Sequence, residues 1–225
     1  MLIATYNIHR AIGTDRGYDP GRVRTVLNEM QAQVIALQEV GTPVDQNGPD
    51  QFEFFHDCFG GEAIAAPTID TNRQRYGNLL LSRYPIISSV IVDSSVGSRE
   101  SRNAIDAVIE TPRGALRILA VHFGLKRRER RIQAEELRKR LELESEVPTV
   151  VMGDFNEWRQ SSPLVRMLGM EPARRSRVAS YPARLPVMPL DRILWRPSGL
   201  ISRVWTVGTG IARAASDHLP VMAEI

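Results

Sequence analysis

The sequence predicts an α+β fold of two packed β-sheets with helices outside, and three observations point to it. Short apolar runs of strand character dominate the chain. They follow one another directly through its middle and elsewhere alternate with helices, and two segments carry clear helical patterning. With 43% hydrophobic and 24% charged residues among 225, the composition is that of an ordinary globular protein with material for a core. Residues 1–225 are expected to form a single domain without internal repeat or linker.

The chain opens on a strand, Met1 to Asn7. After a loop, Asp19-Pro20 sets a capping residue before a proline at the first helical position, so a helix follows. Val23, Val26, Leu27 and Met30 recur at i, i+3, i+4, i+7 and form its core face. Val34 to Leu37 is a continuous apolar run, expected of a strand covered on both faces, and it delivers Gln38-Glu39 at its end. Further strands are expected over 78–82, 86–92, 104–109, 116–121, 147–152, 190–195, 201–207 and 219–225. Lys126 to Glu146, rich in Arg, Glu and Leu with Glu135/Lys139 and Glu136/Arg140 at i, i+4, reads as an exposed amphipathic helix. Gly41–Gln51 and Pro172–Pro189 read as long loops, a length often tied to function.

A net charge of +3 and a pI near 9.3 favour anionic partners without singling out nucleic acid. Cys58 is the only cysteine, which rules out an intrachain disulfide and a multi-cysteine metal site. The first residues read directly as a strand and lack the pattern of a signal peptide, and no apolar stretch has bilayer-spanning length, so a cytoplasmic location is expected.

Several apolar strands finish in polar residues that stability alone does not call for: Asn7, Glu39, His122, Asp154 with Asn156, and Asp217 with His218. If those strands lie side by side, their side chains converge at one rim, where mutually repelling carboxylates need a cation. Oxygen ligands suit a hard ion such as Mg²⁺, Mn²⁺ or Ca²⁺, and the histidines lack zinc-site spacing. A hard cation with open positions for water and a substrate oxygen suits phosphate-ester hydrolysis.

Thr5-Tyr6-Asn7-Ile8, Leu37-Gln38-Glu39-Val40, Val121-His122, Gly153-Asp154-Phe155-Asn156, Leu190-Asp191-Arg192-Ile193 and Ser216-Asp217-His218-Leu219-Pro220-Val221 together resemble the endonuclease/exonuclease/phosphatase superfamily, with its DNase I-like fold. Each motif alone is weak; six in order across the chain are specific. The resemblance implies a four-layered α/β sandwich, two packed mixed sheets flanked by helices, with the site at one end of the sheets. It implies Mg²⁺ or Mn²⁺ at Glu39 with Asn7, and a second metal position at Asp217. Asp154 would orient or deprotonate the attacking water and Asn156 would place the phosphate oxygens. His218, its tautomer fixed by Asp191, would contact the phosphoryl group, and His122 would face the leaving oxygen. Two looser matches, Asn78 in Gly77-Asn78 and Arg102 in Glu100-Ser101-Arg102-Asn103, stand equally as supporting site residues or as structural ones.

Taken one at a time, these residues have ordinary readings: His122 a hydrogen-bonded structural histidine, Asp154 an Asx-turn, Glu39 and Asp217 surface carboxylates. Their ordered series favours catalysis. His9 matches no position in the pattern and reads as a solvated loop residue, and His56 and Cys58 read as structural. The expected activity is metal-dependent hydrolysis of a phosphodiester, with nucleic acid and phospholipid both fitting as the anionic substrate and no protein partner legible. The alternatives are a phosphomonoesterase acting on a small phosphorylated metabolite and a silent anion-binding module of the same fold. Arg174, Arg175, Arg177, Arg184, Arg192, Arg196 and Arg203 share a segment whose only acid is Asp191, which serves equally as a steering field or a solvated basic loop.

Overall fold

The computed structural model describes residues 1–42, 48–71, 74–143, 146–159, 162–170 and 178–225. The opening run forms β1 (Leu2–Asn7). Asp19 caps α1 (Pro20–Met30), accepting hydrogen bonds from the Gly21 and Arg22 N–H groups at 2.8 and 3.3 Å, and β2 (Val34–Val40) follows. The remaining elements are α2 (Gln51–Phe59), β3 (Glu62–Thr71), β4 (Gln74–Ser82), β5 (Ile86–Asp93), β6 (Asn103–Thr111), β7 (Gly114–His122), α3 (Arg127–Glu142), β8 (Thr149–Asp154), α4 (Pro163–Met167), β9 (Asp191–Arg196), β10 (Arg203–Thr206), α5 (Gly210–Ala215) and β11 (Val221–Glu224).

The strands pair into two mixed sheets, one in the order β10-β11-β1-β2-β4-β3 and the other β5-β6-β7-β8-β9. Within them β1–β2 and β7–β8 run parallel and the other pairs antiparallel. Alternation along the central strands sorts their side chains into separate apolar layers. Ile3, Val34, Ala36, Ile118, Ala120, Val150, Met152 and Ile193 point between the sheets. Ala4, Tyr6, Ile35 and Leu37 pack outward against Val23, Val26 and Leu27 of α1, Phe52 and Phe55 of α2, and Ala212 of α5. Leu119, Val121 and Val151 pack on the opposite outside against Ala134, Leu137 and Leu141 of α3 and Leu164 of α4. Helices, sheet, sheet and helices thus form four layers around three apolar interfaces. The unbroken apolar runs of the central strands follow from burial on both faces.

All the expected strands are present with small shifts at their ends; Pro220, which has no N–H to pair, delays β11 to Val221. The second expected helix is shorter, Arg127–Glu142. Four elements lack an expected counterpart. The strand β3 is a half-exposed edge strand whose one apolar run, Ala63-Ile64-Ala65-Ala66, is short and mostly alanine, and α4 and α5 are too short to display a period. Gln51, expected to end a loop, instead begins α2, because Asp50 caps the Phe52 and Glu53 N–H groups at 2.8 and 3.2 Å. Part of that loop and Arg174, Arg175 and Arg177 lie outside the described residues. Among the described residues, no helix is long and apolar enough to cross a membrane.

Candidate active site

The layer between the sheets turns polar at one end. Its apolar positions on β7 and β8 run Ile118–Ala120 and Val150–Met152, and the next inward positions are His122 and Asp154. On β9, which runs the other way, Trp195 and Ile193 are followed inward by Asp191. The register sets His122 beside Asp154 and Asp154 beside Asp191. From the facing sheet, β1 reaches the same rim with Asn7. Period-two alternation thus carries four of the expected residues to one place.

Glu39 arrives by a different device. Strict alternation would send it, like Leu37, toward the helices. The β2–β4 register slips between Leu37 and Val40, and Glu39 takes a left-handed φ of 56°. This bulge turns its carboxylate to Asn7, whose Nδ2 donates to Glu39 Oε1 at 2.9 Å and to Asp154 Oδ2 at 3.1 Å. His218 comes from the turn before β11, where the Ser216 hydroxyl donates to the Asn7 carbonyl at 2.8 Å and accepts the His218 N–H at 3.2 Å.

Asp154 is the centre of the group. Its Oδ2 lies 3.8 Å from His122 Nε2 and 3.9 Å from His218 Nε2, while Oδ1 accepts the Asn156 N–H at 2.8 Å. Burial, followed by the like charge of Asp191, raises its carboxyl above the usual range, with partial relief from His218. His218 Nδ1 donates to Asp191 Oδ2 at 2.8 Å. Burial opposes its charge, but Asp191, Asp154 and Asp217 outweigh it and lift the imidazole to about 10. His218 is therefore an imidazolium at neutral pH. His122 is pushed the opposite way, well below its ordinary value, by burial and then by Arg102 and His218. Arg102 Nη1 lies 3.3 Å from His122 Nδ1. A guanidinium can only donate, so Nδ1 accepts and the ring proton sits on Nε2, toward Glu39 and Asp154.

Four further expected residues lie around this centre. Arg102 is buried, held by Glu100 through 2.9 and 3.0 Å hydrogen bonds, and touches the group only through His122. Asn78 donates to the backbone and side-chain oxygens of Asn103, whose amide in turn donates to the Ala66 carbonyl, so it ties the two sheets together beside the site. Asp217 stays half-exposed at the edge, 3.7 Å from His9 Nδ1. Asn156 braces the site, its Nδ2 donating to the Phe123 carbonyl.

Other contributors are not site candidates in the sequence. The His9 N–H donates to Asn7 Oδ1 at 3.0 Å, the Ser180 hydroxyl to Asp191 Oδ2 at 2.5 Å, and the Tyr181 ring packs on His218 with centroids 4.9 Å apart. No residue pattern announces contacts made across a loop.

One donor atom each from Asp154, Asp191 and His218 lies within 4.8 Å of the others, close enough for a cation to bridge. Asp191 is fully buried with Oδ2 already taking two hydrogen bonds, and a charged His218 offers no lone pair. Glu39 is more open, with 22% of its side chain exposed, and its carboxylate supplies hard oxygen donors suited to a divalent ion, while the Asn7 amide faces it with Nδ2 and has its Oδ1 on the His9 N–H.

The sequence profile of the Endonuclease/Exonuclease/phosphatase family matches residues 4–218. The chain is 30% identical to the uncharacterized protein YbhP of Escherichia coli, over 99% of this chain and 95% of that one. Among solved structures it is similar to an endonuclease/exonuclease/phosphatase from Beutenbergia cavernae (TM-score 0.79, 20% identity, 99% of this chain and 70% of that one). It is also similar to a mannosyl-6-phosphatase from Bacteroides thetaiotaomicron (TM-score 0.75, 15% identity, 100% and 98%). With a profile spanning almost its full length, a relative matched end to end, and a rim of Asn7, Glu39, His122, Asp154, Asp191 and His218 built by its two sheets, the chain belongs to the endonuclease/exonuclease/phosphatase family.

Proposed function

We propose that the protein hydrolyses a phosphodiester, with Mg²⁺ or Mn²⁺ held at Glu39 beside Asn7. Members of its family are typically hydrolases of phosphate esters and usually depend on a divalent metal. The observation that carries the reading is the Asp154 carboxylate, buried yet ringed by Asn7, His122 and His218 beside the more open Glu39. A fold needs no such concentration of polar groups in its driest layer, and burying them costs stability.

Each residue has a chemical task in in-line displacement at phosphorus. Asp154, raised by burial, takes a proton from the attacking water as the new P–O bond forms. The His218 imidazolium, held by Asp191 and Ser180, neutralises a non-bridging oxygen. The neutral His122 ring, its Nε2–H fixed by Arg102, hydrogen-bonds the leaving oxygen as the old P–O bond breaks, and that oxygen takes its proton from water. Asn156 holds the Asp154 carboxylate in aim. The cation, when bound, adds positive charge beside the phosphate. Asp217 contributes through its charge, which supports His218 as an imidazolium. With Arg102 committed to Glu100, the inner site offers few cations, a balance that suits a singly charged diester better than a dianionic monoester.

Hydrolysis of a bis-aryl phosphate diester and its monoester counterpart, with Mg²⁺, Mn²⁺ or chelator, tests this. The diester is cleaved with metal and not with chelator, and Glu39→Gln shifts the metal requirement to higher concentration. Diester cleavage unchanged by chelator, or a clear preference for the monoester, contradicts the reading.

A further inference from the structure

Each sheet ends in two edge strands, and three of these edges are blunted against further pairing. The strand β3 carries Glu62, Pro67 and Asp70, and its ladder slips between Pro67 and Ile69. The strand β10 is short and begins with Arg203, and β9 is buried along almost its whole length. The remaining edge is β5, on the five-stranded sheet. From Ile86 to Val92 it reads Ile-Ile-Ser-Ser-Val-Ile-Val, without a charge or a proline, and residues 87–91 are all exposed. Ile87, Val90 and Ile91 leave 57, 48 and 49% of their surface in water, an apolar patch on a strand whose outer backbone has no partner among the described residues.

The bonds on the paired side of β5 fix which backbone groups face outward. The Ser94 N–H donates to the Arg102 carbonyl at 2.9 Å, just beyond the paired residues Asp93 and Asn103. In an antiparallel ladder that bond makes Asp93 and Asn103 a non-hydrogen-bonded pair, so the N–H and C=O of Asp93 point away from β6. The register runs without a slip from Ser88 to Asp93, the irregularity lying between Ile86 and Ser88. Alternation therefore turns the backbone of Ile91 and Ser89 to the same open side, while Val90 and Val92 bond to β6.

We infer that β5 is an interface for a second copy of this chain, the two β5 strands pairing antiparallel about a two-fold axis at Ile91. With the axis there, Ile91 meets its own counterpart and Ser89 meets Asp93, so every outward residue exchanges both backbone bonds with one of the same phase. An axis at Val90 or Ser89 would instead bring the slipped residue Ile87 into the ladder. The side chains agree with this register: Ile91 lies against Ile91, Val90 against Val92, and the Asp93 carboxylate against the Ser89 hydroxyl, so no like charges meet. An unrelated strand has no reason to carry this spacing, whereas a second copy carries it by symmetry. Such a ladder with its flanking side chains covers on the order of 1,000 Å² in total, near the lower bound for a specific interface, so the dimer is reversible at about micromolar concentration. The strands β5 and β7 run in the same direction, each antiparallel to β6, so Asp93 lies at the end of the sheet where β7 carries His122. Antiparallel pairing thus sends the two active sites to opposite ends of one continuous sheet.

Sedimentation velocity of the whole protein from about 1 to 100 μM tests the pairing. Wild type moves from the 25.2 kDa monomer to twice that mass as concentration rises. Ile91→Lys and Ile91→Glu, changes at an exposed position, each set like charges face to face across the axis and stay monomeric. An equimolar mixture of the two regains the doubled mass, because Lys then faces Glu. Amide hydrogen exchange on wild type needs no variant: the Ser89, Ile91 and Asp93 amides slow with rising concentration, while those of Val90 and Val92, already bonded to β6, do not. A wild type that stays monomeric over the whole range, a doubled mass that survives in both single variants, a mixture that remains monomeric, or exchange at Ser89, Ile91 and Asp93 that is independent of concentration overturns the interface.

Discussion

At the scale of single residues, the site is a set of opposed protonation states made by neighbours a few ångströms apart. His218 and His122 lie on either side of Asp154, yet one is held charged by Asp191 and the other neutral by burial and Arg102. Arg102 earns a prediction of its own. If it fixes the His122 tautomer, Arg102→Ala lowers kcat by about 10–100-fold, the usual cost of removing a group that orients a functional histidine, and changes KM little. A phosphate contact would show the reverse, a raised KM with kcat preserved, so the kinetic split decides between the two roles. Asp191→Asn takes the charge from beneath His218 and lowers turnover by about 100-fold or more, while the Tyr181 ring still packs on the imidazole. Unchanged turnover in that variant would remove the dyad from the mechanism.

At the scale of elements, the strands place the site and irregularities aim it. Gly153 illustrates how little room that leaves: at φ 153°, a Cβ there would lie 1.8 Å from the Val121 carbonyl oxygen on the adjacent strand. Gly153→Ala must part β7 from β8 just where they carry His122 and Asp154, and is expected to lose more than about 1 kcal/mol of stability together with activity, read by thermal melting and turnover. Asp19→Ala removes the cap of α1 and a half-exposed ion pair with Arg22, and is expected to cost about 1 kcal/mol with turnover intact. These elements also show what a sequence discloses. Asn7, His122 and Asp154 were legible as polar residues closing apolar strands and as members of an ordered series of motifs. The bulge at Glu39 was not, since it depends on pairing with β4. Arg102 showed only as a loose motif, His9 and Ser180 make their contacts across loops, where no period links a residue to its partner, and β3 is too exposed to announce itself by pattern.

At the scale of the whole molecule, the site exists only while the two sheets hold their relative positions. Asn7, Glu39 and His218 come from one sheet or its loops; His122, Asp154 and Asp191 come from the other. The Asn78–Asn103–Ala66 hydrogen bonds tie the sheets beside the rim. A second buried anchor ties the outer helix to its sheet: Arg117, fully buried on β7, and Arg140 of α3 both bind Asp106 of β6. Burial opposes the charge on Asp106, but the two arginines outweigh it and hold the carboxyl below its ordinary value of 3.8. A depressed folded-state value means that its contribution is present above about pH 4 and is lost as pH falls through the folded-state value. Asp106→Asn is therefore expected to destabilise the protein by about 3–5 kcal/mol at neutral pH, with the gap to wild type closing in acid, as denaturant titrations at several pH values would show. A constant gap down to strong acid would deny the ion pairs that weight.

The central claim is that Asp154 does chemistry in a place where a fold gains nothing from a buried carboxylate. Its most direct test is metal-dependent turnover of a bis-aryl phosphate diester by wild type and Asp154→Asn, with melting temperatures measured on the same preparations. The predicted result is a loss of about 10²–10⁴-fold in turnover with a melting temperature equal to or above that of wild type, since the variant sheds a costly buried charge. Retained turnover in a folded Asp154→Asn protein would contradict the claim.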